Sequence, residues 1–266
     1  MKLLRRSWIT GVLVMAMVVA GCSQLPGTPD AAERTALAPT GTLRVGVYPG
    51  SPTSMVTDKA GNTVGISYEL GQELAQRLGV PFEAKEYRRI AEVIEAMQAG
   101  QVDFTFTNAT VARQKILDFT PILLRLEIGY LVPKGSRLEA ATDVDRAGVR
   151  VAVMKGGTTA SVLGSMYRQA KIVEVSSPKE AAQFLQDGKA DAFTTNKGIL
   201  FELADQMPGA KVLPGRWGLE RMAAGVPKGR DAGLNFLQEF GKDIQTDGTL
   251  KKVIERAGIR GFVDSE

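Results

Sequence analysis

No histidine occurs anywhere in the 266 residues. That removes Ser-His-Asp and Cys-His nucleophile arrangements, histidine general bases and histidine metal ligands together. There is one cysteine, Cys22, so neither an internal disulfide nor a CxxC redox or zinc motif can form. No basic block interleaves with aromatics, which leaves no case for nucleic-acid binding. The net charge of +4 makes none either, because Lys2, Arg5 and Arg6 supply three of those charges and without them the balance falls to +1. No metal, no cofactor and no catalytic group is expected. What the chain does have is apolar residues, 44% of the total, over a length that can bury a core for one large or two small domains.

The N-terminus has its own pattern. A short positive region ends at Arg6, residues 7–20 carry no charge, and small residues follow at Ala20 and Gly21. That order predicts a secretory signal peptide over residues 1–21. The apolar run is shorter than the roughly 20 residues of a spanning helix, and Pro26 and Gly27 follow it closely. The tetrapeptide Val19-Ala20-Gly21-Cys22 resembles the lipobox of bacterial lipoproteins. That resemblance implies an acyl anchor on Cys22, which becomes the first residue of the mature chain. Ser23 after the cysteine, where an aspartate would act differently, favours outer-membrane sorting in a Gram-negative host. Residues 22–40, rich in Pro, Ala, Thr and Ser, are expected to be a lipidated, flexible tether.

From Gly41 onward, short apolar runs alternate with amphipathic stretches. Leu43 to Val47 reads as a buried strand, and Leu70, Leu74 and Leu78 share one helical face that stops at Gly79. A second helix carries Ile90, Val93, Ile94 and Met97 and ends at Gly100, before a strand from Val102 to Thr107. Strand–helix–strand alternation of this kind predicts an α/β fold with parallel-rich sheets.

The segment from Met97 to Asn108 recurs as the segment from Leu185 to Asn196, with glutamine, glycine, aspartate, threonine and asparagine at identical spacing. Arg44-Val45-Gly46-Val47 and Gly50 likewise echo Arg150-Val151-Ala152-Val153 and Gly156. Glycine caps helices everywhere, but two matches in the same order argue for two similar lobes. Ligands of open α/β sheets lie beyond the carboxyl ends of the strands. The loops at Asn108, Asn196, Gly50 and Gly156 are therefore expected to line a cleft between the lobes.

These pieces resemble the polar-amino-acid family of ABC-transporter solute-binding proteins over residues 41–264. The matching segments are Gly41 to Val47, Gly100 with Asp103, Thr110 to Arg113, Asp118 to Thr120, Val151 to Gly156 with Thr158, Gly188 to Ala192, and Asp247 to Thr249. The resemblance implies a type 2 periplasmic binding fold, with two lobes on a two-strand hinge. It places crossovers near residues 131–133 and 223–226. Lobe 1 is then residues 41–131 with 224–266, and lobe 2 is residues 132–223.

By the same resemblance Arg113 holds a ligand carboxylate, a task that suits a fork of donors that stays charged. A surface or inter-helix salt bridge is the competing role. Thr110 and Asn108 fall beside it. Thr158 sits where a helix start offers N–H groups to an anion, or is an ordinary N-cap. Two positions depart from the family. Asn196 stands where an aspartate usually pairs with the ligand's ammonium. The first loop runs from Tyr48 to Ser54 in small polar residues, with only Tyr48 to replace the usual aromatic wall. Both departures favour a small anion, or a ligand whose ammonium is absent or held elsewhere, unless an Asp or Glu from another segment compensates. Trp217 is open between a cleft wall and a core or hinge role.

The implied function is a non-enzymatic, monomeric lipoprotein of the periplasm or cell surface. It delivers a small polar, carboxylate-bearing solute (an amino acid or related anion) to an ABC permease. Two alternatives are a periplasmic dehydratase-like enzyme on the same scaffold and a solute sensor for another partner.

Overall fold

A computed structural model describes residues 28–263. The expected signal peptide and Cys22 lie outside the described residues. Among those described, no helix is long and apolar enough to cross a membrane, and no cluster of His, Cys, Asp or Glu could hold a metal.

The helices in chain order are α1 (Ala31–Leu37), α2 (Ile66–Leu78), α3 (Ile90–Gln98), α4 (Val111–Gln114), α5 (Thr158–Met166), α6 (Pro178–Gln186), α7 (Lys197–Gln206), α8 (Leu234–Thr246) and α9 (Thr249–Arg256). The strands are β1 (Leu43–Val47), β2 (Val56–Thr57), β3 (Thr63–Val64), β4 (Phe82–Glu86), β5 (Thr105–Asn108), β6 (Leu117–Phe119) and β7 (Leu124–Val132). They continue as β8 (Arg150–Met154), β9 (Lys171–Val175), β10 (Ala192–Asn196), β11 (Lys211–Val212), β12 (Gly218–Pro227) and β13 (Phe262–Val263).

The helices expected from leucine spacing form as α2 and α3. Leu70, Leu74 and Leu78 are fully buried, and Gly79 ends α2 in the left-handed conformation that glycine adopts without a Cβ penalty. Residues 31–37 correct the tether expectation. They form α1, because Asp30 accepts from the Glu33 amide while Glu33 accepts from the Asp30 amide, a reciprocal capping box. Leu37 then plugs into the core of the first lobe.

Each lobe has helices on both faces of its strands. In the first, β1 and β4 run parallel, and Phe104 extends that pairing through a parallel bridge to Val45. Leu70 and Leu74 of α2 and Phe240 of α8 cover one face, and Val93 and Met97 of α3 cover the other. In the second, β8 lies parallel between β9 and β10. Leu185 and Leu200 pack on one face of this sheet, with Leu163 and Val144 on the other.

Two strands belong to both lobes. β7 pairs antiparallel with β12 through its first half and with β10 through its second. β12 pairs with β7 at its start, then with β5 and β6. On β7, Leu126 packs in the first lobe while Tyr130 and Leu131 pack in the second. On β12, Met222 and Ala224 pack in the first lobe, and Trp217, just before that strand, packs in the second. The chain therefore passes between cores at residues 127–129 and 218–221, a few residues ahead of the crossovers drawn from the family pattern.

Candidate functional site

One cavity between the lobes is small, about 40 Å³, which is room for a few water molecules; beyond Pro178 a wider one of about 780 Å³ lies between Gly50 and Met55 of the first lobe and Ser177 and Leu203 of the second. The first lobe contributes Tyr48, Thr53, Ile90, Phe106, Thr107, Asn108 and Arg113 to the wall of the small cavity. The second contributes Met154, Gly157, Thr158, Thr159, Pro178, Thr195, Asn196 and Ile199, and β12 adds Glu220 and Met222. The lobes touch across it. A Cβ built on Gly50 would lie 3.7 Å from the Pro178 side chain, and one on Gly156 would lie 2.9 Å from the Ala91 methyl. The lobes are therefore in contact beside the small cavity.

Arg113 sits in the short α4, whose first turn is capped by the Thr110 hydroxyl accepting from the Arg113 amide at 3.2 Å. The residue as a whole is partly buried, and its guanidinium is enclosed. Nη1 donates to the Thr107 hydroxyl at 2.6 Å and to the Asn108 carbonyl at 3.2 Å. Burial pushes the Arg113 pKa down, and the Glu220 carboxylate opposes that fall.

The two strand-end asparagines both hold β12. The Asn108 side-chain carbonyl accepts from the Arg221 amide at 3.1 Å. The Asn196 amide nitrogen donates to Glu220 Oε2 at 3.0 Å, while its oxygen caps α7 by accepting from the Ile199 amide. Glu220 is 8% exposed, and burial holds its carboxyl above the ordinary range, with Arg113 and Asn196 pulling the other way. Tyr48 lies buried in the same field. Burial raises its pKa most, the Glu220 charge adds to the rise, and a Ser51 hydrogen bond opposes it.

Of the residues singled out from sequence, Arg113, Asn108, Thr158, Asn196 and Tyr48 line the cavity. Thr158 is the first residue of α5, and the N-cap is Gly157, so the hydroxyl is not spent on capping. Thr110 and Ser54 are placed behind the wall. Thr110 caps α4, and the Ser54 hydroxyl accepts from the Tyr48 amide at 2.7 Å, shaping the loop that presents the tyrosine ring. Trp217 takes the core role: its indole N–H donates to Thr194, and its ring packs against Tyr130.

Glu220 was not singled out. Between Leu219 and Arg221 it has the look of a solvent-facing charge on an alternating strand, and the only prior hint was the missing carboxylate at position 196. Thr53, Thr107, Thr159 and Thr195 also reach the wall.

Residues 43–258 match the bacterial extracellular solute-binding proteins, family 3, and the chain belongs to that family. A glutamine-binding protein of Geobacillus stearothermophilus is 25% identical over 248 residues, which cover 85% of this chain and 94% of that protein. The L-cystine-binding protein TcyJ of Escherichia coli K12 is 25% identical over 257 residues, 95% of each chain. Among solved structures, the ancestral amino-acid-binding protein AncCDT-1, a precursor of cyclohexadienyl dehydratase, superposes with a TM-score of 0.71 at 26% identity. That match covers 84% of this chain and 98% of AncCDT-1.

Proposed function

We propose that this solute-binding protein takes up a small, polar, carboxylate-bearing solute (an amino acid or related anion) between its lobes and delivers it to an ABC permease. The observation that carries the proposal is the enclosed Arg113 guanidinium. Thr107 and Asn108 hold it from one side, and it lines the small cavity without an ion pair among the described residues. A planar fork of donors fixed in that way suits a carboxylate, whose charge replaces the hydration the cation has lost. The start of α5 at Gly157 and Thr158 lies on the same cavity and adds N–H groups and a favourable dipole for an anion.

β7 packs in both cores, and the chain enters β12 directly from Trp217 in the second core, so rotation about these two strands opens and closes the cleft. The solute leaves chemically unchanged. The protein acts as a monomer at the periplasm or cell surface, exported by residues 1–21 and anchored through an acyl group on Cys22.

Isothermal titration against amino acids and organic acids tests the binding, and incubation with prephenate and arogenate tests the absence of turnover. Arg113→Ala should lower affinity for the bound compound by about 100-fold or more, the loss of two hydrogen bonds to a charged group. If the unaltered protein binds no carboxylate and shows no thermal shift, the proposal fails.

A further inference from the structure

The wall of the small cavity carries one cation and one anion, on opposite contributions to the fold. Arg113 comes from the first lobe and Glu220 from the strand that joins the lobes. We propose that Glu220, held by Asn196, is the group that pairs with a ligand ammonium, so that the cleft selects a zwitterion over a simple anion. This deepens the reading of the site as a carboxylate-binding cleft and rests on it.

A buried carboxylate needs either a cation or several donors to offset its lost hydration. Glu220 has one protein donor, the Asn196 amide at 3.0 Å, and among the described residues it forms no ion pair. Its neighbouring carboxylate on the other joining strand is treated differently. Glu127 of β7 is paired with Lys197 at 2.5 Å and with Arg216 at 3.3 Å. Of the two glutamates on the strands that join the lobes, the one without a salt bridge among the described residues is the one that faces the cavity, where the Arg113 charge acts on it only from across the space. Burial pulls its carboxyl upward by more than Arg113 and Asn196 together pull it down.

Asn196 ends β10 as Asn108 ends β5, and the two grip consecutive residues of β12. That register leaves the Glu220 side chain between the two lobes. A carboxylate missing at position 196 is thus supplied one hydrogen bond away, from the adjoining strand.

The rest of the wall limits what else the ligand carries. Ile90, Phe106, Met154, Pro178, Ile199 and Met222 offer no charge, so a second ligand charge would have no partner. A ligand side chain held in this cavity is therefore uncharged.

The test is titration of the purified protein with the twenty common amino acids, followed by each binder's desamino acid, for instance L-alanine against propionate. Neutral amino acids that bind should do so at least about 100-fold more tightly than their desamino acids. Glu220→Gln should remove that preference by weakening the amino acid while leaving the desamino acid bound as well or better, which also shows that the variant is folded. Asn196→Asp in the E220Q background should restore amino-acid binding to within about tenfold, because the carboxylate returns to within one hydrogen bond of its place.

Equal affinity of the unaltered protein for an amino acid and its desamino acid overturns the assignment but leaves the carboxylate site standing. Undiminished amino-acid binding by E220Q does the same. Tightest binding to arginine or lysine overturns the claim of an uncharged side chain. Failure to bind any carboxylate removes both readings.

Discussion

The two lobes share a clasp and use it differently. At the start of the first strand in each, an arginine donates its backbone N–H and two guanidinium N–H groups to one aspartate. Arg44 does so to Asp103 at 2.8 to 3.0 Å, and Arg150 does so to Asp191 over the same range. The aspartate amide returns a bond to the arginine carbonyl in both cases. In the second lobe the clasp stops there, with the Asp191 side chain 37% exposed. In the first, Asp103 is fully buried and also accepts from Arg230 at 2.6 Å. Arg230 in turn donates to the Ala36 and Leu37 carbonyls that end α1. The same four-bond unit is a surface tie in one lobe. In the other it anchors both the N-terminal helix and the chain returning from β12. A repeated local contact therefore takes its energetic weight from what surrounds it.

Substitution at Asp103 should have the largest effect. Asp103→Ala leaves two partly buried guanidinium groups facing an apolar gap, and the expected loss is about 3–5 kcal/mol, read by chemical denaturation. A loss below about 1 kcal/mol would mean that the two clasps are equivalent after all.

The next comparison sets Gly156 against Gly50. Both hold left-handed backbone, with φ of +70° and +77°, so alanine costs either about 1–2 kcal/mol of local strain. Only at Gly156 does the new methyl also meet the opposite lobe, 2.9 Å from Ala91 rather than 3.7 Å from Pro178. Titration should find ligand affinity lowered about tenfold by Gly156→Ala and changed little by Gly50→Ala, since closure brings that contact into play. Equal effects would place the closing contact elsewhere.

Asp191 should have the smallest effect. Asp191→Asn is expected to cost about 1 kcal/mol or less, as exposed pairs do. Its carboxyl lies below the ordinary aspartate range because Arg150 hydrogen-bonds the charged form. The clasp therefore contributes stability above the unfolded aspartate pKa near 4 and loses it as pH falls through the lower folded value. Denaturation curves of the substituted protein should converge on those of the unaltered one in acid and separate toward neutral pH. Curves that separate in acid instead would contradict the assignment.

How much of this was visible in the chain depends on how far apart the partners lie. α2 and α3 announce themselves through leucine and isoleucine spacing and a stopping glycine. The repeat that brings Asn108 and Asn196 to equivalent strand ends is plain once the segments are aligned. The clasp residues all fall inside that repeat, yet Arg44 and Asp103 are 59 positions apart and nothing local marks them as partners. α1 was hidden by composition: its Ala- and Thr-rich surroundings suggest a tether, and only the Asp30–Glu33 spacing signals a helix start. Glu220 was hidden by its neighbour. A charge next to another charge, Arg221, on a strand normally marks exposure to solvent, and here Glu220 is covered because β12 runs between two lobes.

The sequence by itself determined the local and the negative facts: where helices begin and stop, which backbone positions need glycine, that two halves are alike, and that histidine and disulfide chemistry are absent. Those depend on neighbours within a turn or two, or on composition alone. Tertiary structure decided the charge pattern of the cleft. Arg113 and Glu220 come from segments more than 100 residues apart. Their burial, and hence the electrostatic demand each places on a ligand, exists only when β7 and β12 bring the lobes together.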